Sequence, residues 1–237
     1  MSFARALMLP VAVLLLSWMG LAATAGAQGT PAPSGGGVHI VTYLDLATGS
    51  AAQAIVQLKT YRDAARKQAS NLGVDVYQEI GRAGRFAVRE AWRDAAALEA
   101  NGKAGLTAQL AAGLKPLQMG PADQRTHDGY SMGTGAAAAG PGSVYAFTHV
   151  DVPPPQLSAL EPLLRQVAEA SRKEAGAMMF DVLQQASRKN HFTVVEGWQS
   201  GKAFEVHSAG EAARQFRDKL GPMLGALYDQ RVYKLVR

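Results

Sequence analysis

This chain contains the same pattern twice. Shifting the 237-residue sequence by 106 positions, which takes Val38 to Val144, aligns 38–131 with 144–237 without a gap. Of the 94 aligned pairs, 24 are identical. The identical pairs include Asp75 with Asp181, Glu90 with Glu196, Trp92 with Trp198, and Asp123-Gln124-Arg125 with Asp229-Gln230-Arg231. Self-similarity over a whole domain length predicts two domains of one fold, here 38–131 and 143–237.

The remaining segments have compositions that do not pack into a core. Residues 132–142 are rich in Gly and Ala, which predicts a flexible linker. At the start of the chain, Arg5 precedes an apolar run that ends in Ala25-Gly26-Ala27, the pattern of a cleaved secretory signal. The run is too short and interrupted for the alternative, an uncleaved membrane anchor. We therefore expect a signal peptide over 1–27, a flexible leader over 28–37, and a periplasmic or secreted protein without stable membrane insertion after cleavage.

Composition and motifs exclude several classes of function. The chain has no cysteine, which rules out disulfides, thiolate metal sites and a cysteine nucleophile. The net charge is +5, but Lys and Arg are scattered among acidic residues, so no nucleic-acid partner is expected. The five histidines lack metal-ligand spacing, and phosphate-binding, dinucleotide-binding and serine-hydrolase motifs are absent from the sequence. We therefore expect no metal and no nucleotide cofactor.

Each repeat has the pattern of an α+β domain. In the second repeat, 144–152 is rich in strand-forming residues, and apolar side chains then recur at helical spacing over 157–167. The pattern continues with two strands, a helix and a last strand, at 180–184, 192–198, 202–219 and 232–236. This order is that of the ferredoxin-like fold, with helices on one face of a four-stranded antiparallel sheet.

Both faces of each predicted sheet need cover. Val41, Phe147 and Leu183 lie on one side of their strands, while Ile40 and Val182 lie on the other. We therefore expect the two repeats to pack sheet against sheet as an intrachain pseudo-dimer. The protein would be a monomer of this kind or a homodimer.

Motifs along the second repeat resemble a known family. Ser171-Arg172-Lys173-Glu174-Ala175-Gly176 closes the first helix, Phe180-Asp181-Val182 lies on the second strand, and Val194-Val195-Glu196-Gly197-Trp198 lies on the third, with His207 beyond. This repeat is similar to the antibiotic biosynthesis monooxygenase (ABM) domain of the dimeric α+β barrel superfamily. The resemblance extends more weakly over 38–125.

The resemblance implies an activity that needs no cofactor. The family includes quinol monooxygenases and oxygenases of aromatic polyketides, which implies a cofactor-independent monooxygenase acting on a quinol or similar hydroxyaromatic compound. In oxygenating members the third-strand Trp and a His nine residues on lie near the pocket, which implies roles for Trp198 and His207. The alternative is a non-catalytic periplasmic ligand-binding or structural module. Haem degradation ranks third, because haem-degrading members use a first-strand Asn where this chain has Thr42 and Thr148.

The residues themselves suggest the same site. Strand alternation puts Glu196 and Trp198 on one apolar face, where an unpaired carboxylate would have a raised pKa and could act as a base toward a phenol. An alternative is a structural Glu196 paired with an Arg. The imidazole of His207 could accept a phenolic proton, or it could be an exposed helix residue. Aromatic and imidazole side chains that could line a pocket are His149, Tyr228 and Tyr233.

The two repeats differ at the candidate positions. Asn101 aligns with His207 and Tyr43 with His149, and 126–130 lacks the regular strand pattern of 232–236. A repeat without a regular last strand suits a scaffold better than a pocket wall. We therefore predict one working site per chain, in the second repeat.

Overall fold

The computed structural model describes residues 37–134 and 138–237. The predicted signal peptide, nearly all of the predicted leader and part of the predicted linker lie outside these residues. Within them, no helix combines the length and the apolar character needed to cross a membrane.

The first repeat contains four strands and three helices. In chain order these are β1 (Val38–Asp45), α1 (Ala51–Ala65), β2 (Asn71–Glu79), β3 (Arg85–Trp92), α2 (Ala95–Lys103), α3 (Leu106–Leu114) and β4 (Asp123–Ser131). The Asp94 side chain caps α2 by accepting a hydrogen bond from the Ala97 backbone N–H. Gly105, at φ 78°, makes the tight turn between α2 and α3 that a residue with a side chain would adopt only with strain.

The second repeat has the same order. Its elements are β5 (Val144–Asp151), α4 (Leu157–Ser171), β6 (Ala177–Gln185), β7 (His191–Trp198), α5 (Gly201–Ala209), α6 (Glu211–Leu220) and β8 (Asp229–Leu235). The single helix predicted over 202–219 is wrong, because the extended backbone of Gly210 separates α5 from α6. A Cβ at Gly210 would lie 2.9 Å from the carbonyl oxygen of His207, so the turn depends on glycine.

The two sheets join into one closed barrel. The strand order is β1-β3-β2-β8-β5-β7-β6-β4, so each repeat contributes its last strand to the junction with the other. β8 pairs with β2, where Tyr77 lies opposite Leu235, and β4 pairs with β6, where His127 lies opposite Gln185. All of these ladders are antiparallel. The predicted fold class of two ferredoxin-like repeats forming an intrachain pseudo-dimer is confirmed, and closure leaves the sheet without a free edge.

Apolar side chains form three separate cores, as the two-faced strand pattern predicts. One core lies between the first sheet and α1 and α3, and includes Leu58, Val88 and Trp92. Its counterpart in the second repeat includes Leu164 and Trp198. The third fills the barrel with tyrosine, phenylalanine and aliphatic side chains, among them Val41, Tyr43, Tyr77, Tyr145, Phe147, Leu183 and Tyr233.

The last strand of the first repeat is continuous, with one register irregularity between Gly129 and Ser131 in its pairing with β6. β4 runs for nine residues and pairs with both β1 and β6. The interpretation of 126–130 as a decayed strand is therefore wrong, because ladder hydrogen bonds and two neighbours hold a polar sequence extended where local strand propensity is weak. The last strand therefore gives no reason to regard the first repeat as only a scaffold.

Candidate functional site

Each repeat has a carboxylate and an indole at the same place, between the sheet and the helices. Trp198 Nε1 donates a hydrogen bond of 3.1 Å to Glu196 Oε2, and Trp92 Nε1 donates one of 3.1 Å to Glu90 Oε2. Residues two apart on a strand share a face, so both pairs lie on the helix side. What surrounds the carboxylate differs between the two repeats.

In the second repeat, His207 lies between two carboxylates. Its Nδ1 is 3.0 Å from Glu174 Oε2, and its Nε2 is 3.3 Å from Glu196 Oε2. The ring stacks on Trp198 with centroids 4.3 Å apart. Burial lowers the pKa of His207, but hydrogen bonds and charge from Glu196 and then Glu174 raise it above its ordinary value. The imidazole is thus buried, not exposed on its helix, and both of its nitrogens lie close to a carboxylate.

The other oxygen of Glu196 also has a partner. Gln230 Nε2 lies 3.0 Å from Thr148 Oγ1 and 3.5 Å from Glu196 Oε1, so it bridges the two. The cavity beside these residues has only about 20 Å³, lined in part by Phe216, Arg217 and Tyr228. Glu196 is therefore paired, with a histidine and an amide rather than with the predicted arginine.

In the first repeat, a neutral network takes the place of the charged one. Tyr61 Oη donates a hydrogen bond of 2.8 Å to Glu90 Oε2. Asn101 Nδ2 donates to Tyr61 Oη at 3.1 Å, and Gln68 Nε2 donates to Asn101 Oδ1 at 2.8 Å. Gln68 aligns with Glu174 and Asn101 with His207, so amides replace both ionisable groups.

This neutral network leaves one oxygen of the carboxylate unused. Both hydrogen bonds to Glu90 arrive at Oε2, and no residue in the described part of the chain donates to Oε1. Thr42 and Gln124, the counterparts of the bridged Thr148 and Gln230, make no hydrogen bond to Glu90 and instead line a cavity with it. That cavity has about 510 Å³, within the size range of ligand sites.

Smaller side chains explain the larger cavity. Ala122 stands where the second repeat has Tyr228, Ala111 where it has Arg217, and Leu110 where it has Phe216. The opposite exchange, Tyr61 for Val167, adds the hydroxyl that binds Glu90. The first repeat therefore has both more room and a partly unsatisfied carboxyl group.

Burial changes the acid strength of this pair. Burial raises the pKa of Glu90, while the hydrogen bonds from Tyr61 and Trp92 oppose the rise. Burial also raises the pKa of Tyr61, and the negative charge of Glu90 raises it further. Tyr61 therefore stays a hydrogen-bond donor, and Glu90 is the group that can exchange a proton.

Two predicted pocket residues lie on the other face of the sheet. Tyr233 is in the barrel interior, with its ring 5.1 Å from that of Phe147, and burial raises its pKa to about 12. His149 is there too, with Nδ1 3.0 Å from Arg125 Nη1 and 3.4 Å from Thr193 Oγ1. Burial and the charge of Arg125 lower the pKa of His149 to about 4.

The structure therefore brings together four of the six predicted residues, Glu196, Trp198, His207 and Tyr228, around the small second-repeat cavity. It places His149 and Tyr233 on the opposite side of the sheet. Sequence reasoning missed Tyr61, Glu90 and the larger first-repeat cavity. The internal alignment could have predicted the larger cavity, because large residues of the second repeat align with small residues of the first.

No cluster of three or more His, Cys, Asp or Glu side chains suited to a metal ion occurs within 37–134 and 138–237.

The chain matches the family described as antibiotic biosynthesis monooxygenase over residues 37–104 and 143–219. No curated protein matches it.

Solved structures share the whole two-repeat fold. A proposed monooxygenase of Fusobacterium nucleatum superposes with a TM-score of 0.78 at 11% identity, covering 86% of this chain and 94% of that one. A second proposed monooxygenase, from Lactobacillus acidophilus, gives 0.71 at 10% identity, covering 86% and 95%. A protein described as anthrone oxidase-like gives 0.69 at 14% identity, covering 86% and 93%. At these identities the likeness establishes the fold.

Proposed function

This chain belongs to the antibiotic biosynthesis monooxygenase family, and we propose that it oxidises a quinol or similar hydroxyaromatic compound with dioxygen, without an added cofactor. We further propose that the reaction takes place in the first repeat. The observation that carries this proposal is the cavity of about 510 Å³ in which Glu90 Oε1, Thr42 and Gln124 remain free to contact a ligand.

The walls of this cavity suit an aromatic ring. Apolar side chains of Leu44, Val88, Leu110 and Leu114 contribute the surface, and a few polar groups stand among them. Pockets for small organic molecules combine apolar walls with a small number of placed polar groups that fix orientation. If one hydroxyl group of the substrate contacts Glu90, a second oxygen substituent on the ring would lie near Thr42 and Gln124. These two residues lie opposite each other on β1 and β4.

Glu90 is the proposed base. Its raised pKa narrows the gap to that of a phenol, which makes proton transfer from the substrate hydroxyl less unfavourable. The hydrogen bonds from Tyr61 and Trp92 hold the carboxyl group in one orientation, with Oε1 as the acceptor. Loss of the proton makes the ring electron-rich enough to react with dioxygen directly.

The proposed reaction balances with dioxygen as the only oxidant. Dioxygen adds to a ring carbon next to the deprotonated oxygen, forming a carbon–oxygen bond and a peroxide anion. Glu90 returns its proton to this anion, which becomes a hydroperoxide. The hydroperoxide loses water as its O–O bond and the C–H bond at the same ring carbon break. A hydroquinone and one dioxygen thus give one hydroxyquinone and one water, with all four electrons supplied by the substrate.

Oxygen consumption with a panel of hydroquinones and anthrone-like phenols, with no cofactor added, tests the proposal. Glu90→Gln keeps an acceptor for Tyr61 and Trp92 but removes the base, so the turnover rate should fall by about 100-fold or more. Glu196→Gln is the matched control in the second repeat and should change the rate by less than about threefold.

Three results would argue otherwise. Equal losses in the two variants would mean two equivalent sites. Loss in Glu196→Gln alone would support the second-repeat site built on Glu196, Trp198 and His207. Binding of the same compounds by calorimetry without any oxygen consumption would favour the ligand-binding module.

A further inference from the structure

A groove on the outer side of the first repeat adjoins the proposed substrate cavity. It lies between α1 and α3 and has about 170 Å³ of free space. Gln57 Nε2 donates a hydrogen bond of 3.2 Å to the Gly113 carbonyl oxygen and ties the two helices together at one end. Ala64 and Leu106 line the groove as well.

The groove and the cavity share two residues. Tyr61 and Leu110 line both spaces, so these two side chains form the partition between them. Tyr61 is fixed by its hydrogen bonds to Glu90 and Asn101. Leu110 is an apolar side chain and is only partly buried, so a change of its rotamer can alter the partition.

The second repeat contains the same groove in a reduced form. It lies between α4 and α6 at aligned positions and has about 50 Å³. Val167 and Phe216 form its partition with the small inner cavity, where the first repeat has Tyr61 and Leu110. Groove and cavity are therefore both enlarged in the first repeat, as expected if one ligand occupies both.

The exposed surface of the groove is partly apolar. Val56 is 65% exposed at its edge, and Leu106 and Leu110 are partly exposed along α3. Glutamine and threonine side chains at Gln57, Thr60 and Gln109 complete the lining. Neither Lys, Arg, Asp nor Glu lines the groove, so it suits an uncharged, largely apolar group.

We propose that the substrate of the first repeat is a hydroxyaromatic compound with an extended apolar substituent on its ring. The ring lies in the cavity against Glu90, and the substituent passes Leu110 into the groove between α1 and α3. This inference rests on the proposed function for the position of the ring, and it adds the part of the substrate that sets affinity.

Anaerobic calorimetry with a series of n-alkylhydroquinones, from unsubstituted to hexyl, tests the inference. Without dioxygen the compounds are bound but not consumed. Burial of each methylene should lower the Kd by about fourfold until the groove is full. Ala64→Leu fills the groove from the side away from the cavity, and it should raise the Kd of the hexyl compound at least tenfold while changing that of hydroquinone by less than threefold.

Ala170→Leu is the matched control, because Ala170 is the aligned residue of the second-repeat groove and is equally partly buried. It should leave both dissociation constants unchanged. A Kd that does not depend on chain length would overturn the inference. Equal increases in the Kd of both compounds in Ala64→Leu would also overturn it. Chain-length-dependent binding without oxygen consumption would instead overturn the proposed function and leave the groove assignment standing.

Discussion

The two repeats share a frame and differ in how they hold the same buried carboxylate. In the second repeat, His207 and Gln230 engage Glu196 at both oxygens, and large side chains fill the remaining space. In the first repeat, the neutral donors Tyr61 and Trp92 reach one oxygen of Glu90, and the space beside the other is open. A duplicated domain can thus keep one copy as a filled structural partner while the other keeps a cavity.

The two repeats also differ in how well the charge of the buried carboxylate is stabilised. A buried carboxylate must be stabilised against the loss of its hydration. In the second repeat His207 does this when it is protonated, which its raised pKa favours, whereas neutral hydrogen bonds do it only in part in the first repeat. Glu90 has a raised pKa for this reason. A buried carboxylate that must react can remain partly without hydrogen-bond partners. A carboxylate that only stabilises the fold is better served by a full set of partners.

The largest expected effect is a difference in the free energy of unfolding between variants of the two hydrogen-bond networks, around Glu196 and around Glu90. His207→Ala leaves Glu174 and Glu196 without their shared cation and should lower the free energy of unfolding by about 3–5 kcal/mol. Asn101→Ala removes one amide from a neutral network and should cost about 1–3 kcal/mol. Urea unfolding of both variants at pH 6 measures the difference.

Turnover of the same two variants sharpens the comparison. With the site in the first repeat, His207→Ala should change the rate of oxygen consumption by less than about threefold once folding is verified. The second-repeat site predicted from the sequence would instead lose at least about tenfold, the contribution expected of an acid–base group.

Exchanging the residues that set cavity size tests the comparison through the space in each repeat. Ala122→Tyr places in the first repeat the ring that stands at 228 in the second, and should lower turnover by about 100-fold by displacing the substrate. Tyr228→Ala opens the second repeat and should leave turnover unchanged, since Glu196 keeps both sets of partners. A gain of activity in Tyr228→Ala would show that only space distinguishes the two repeats.

The smallest effect is in the pH dependence of stability. His207 has a raised pKa in the folded protein, so its contribution is complete below the unfolded value of about 6.5 and disappears as pH rises through the folded value. His207→Asn should therefore lose less stability than the wild type between neutral and alkaline pH. Urea midpoints from pH 6 to 9 measure this difference, and parallel curves would contradict it.

Acidic pH provides an internal reference for that experiment. Burial lowers the pKa of His39, His127 and His149 to about 4, so they resist protonation in the folded barrel. Their effect has the opposite sign: stability is lost as pH falls from about 6.5 toward 4. This limb should be the same in the wild type and in His207→Asn.

The sequence predicted the fold well because its signals are periodic and occur twice. The internal alignment and the two-sided apolar strands were enough for the repeats and their pairing. Local sequence propensity did not predict the end of a helix at Gly210, where two backbone segments approach closely. It also did not predict the strand β4, whose conformation is imposed by two neighbouring strands. Both failures are cases in which contacts distant in sequence decide local structure.

The candidate site was harder to predict because pairing is a property of three dimensions. Glu196 and Trp198 were found from strand alternation, but nothing in the alternation shows that Glu174 would reach His207 from the end of α4. The lack of a counterpart to His207 predicts that the first repeat has no site. In the structure, Glu90 Oε1 has no partner among the described residues, because Gln124 makes no hydrogen bond to Glu90 where Gln230 reaches Glu196 Oε1.

Closure of the barrel pairs strands that are far apart in the sequence. Tyr77 of β2 pairs with Leu235 of β8, so one of the two junctions between the repeats forms only after nearly the whole sequence is available. Contacts of such sequence separation make folding slow, because the entropy of closing a long loop must be overcome before they form. A chain that ends before Asp229 would present the edges of β2 and β5 as unpaired strands, which is a route to aggregation. The first-repeat cavity therefore belongs to a barrel that only the last seven-residue strand of the second repeat completes.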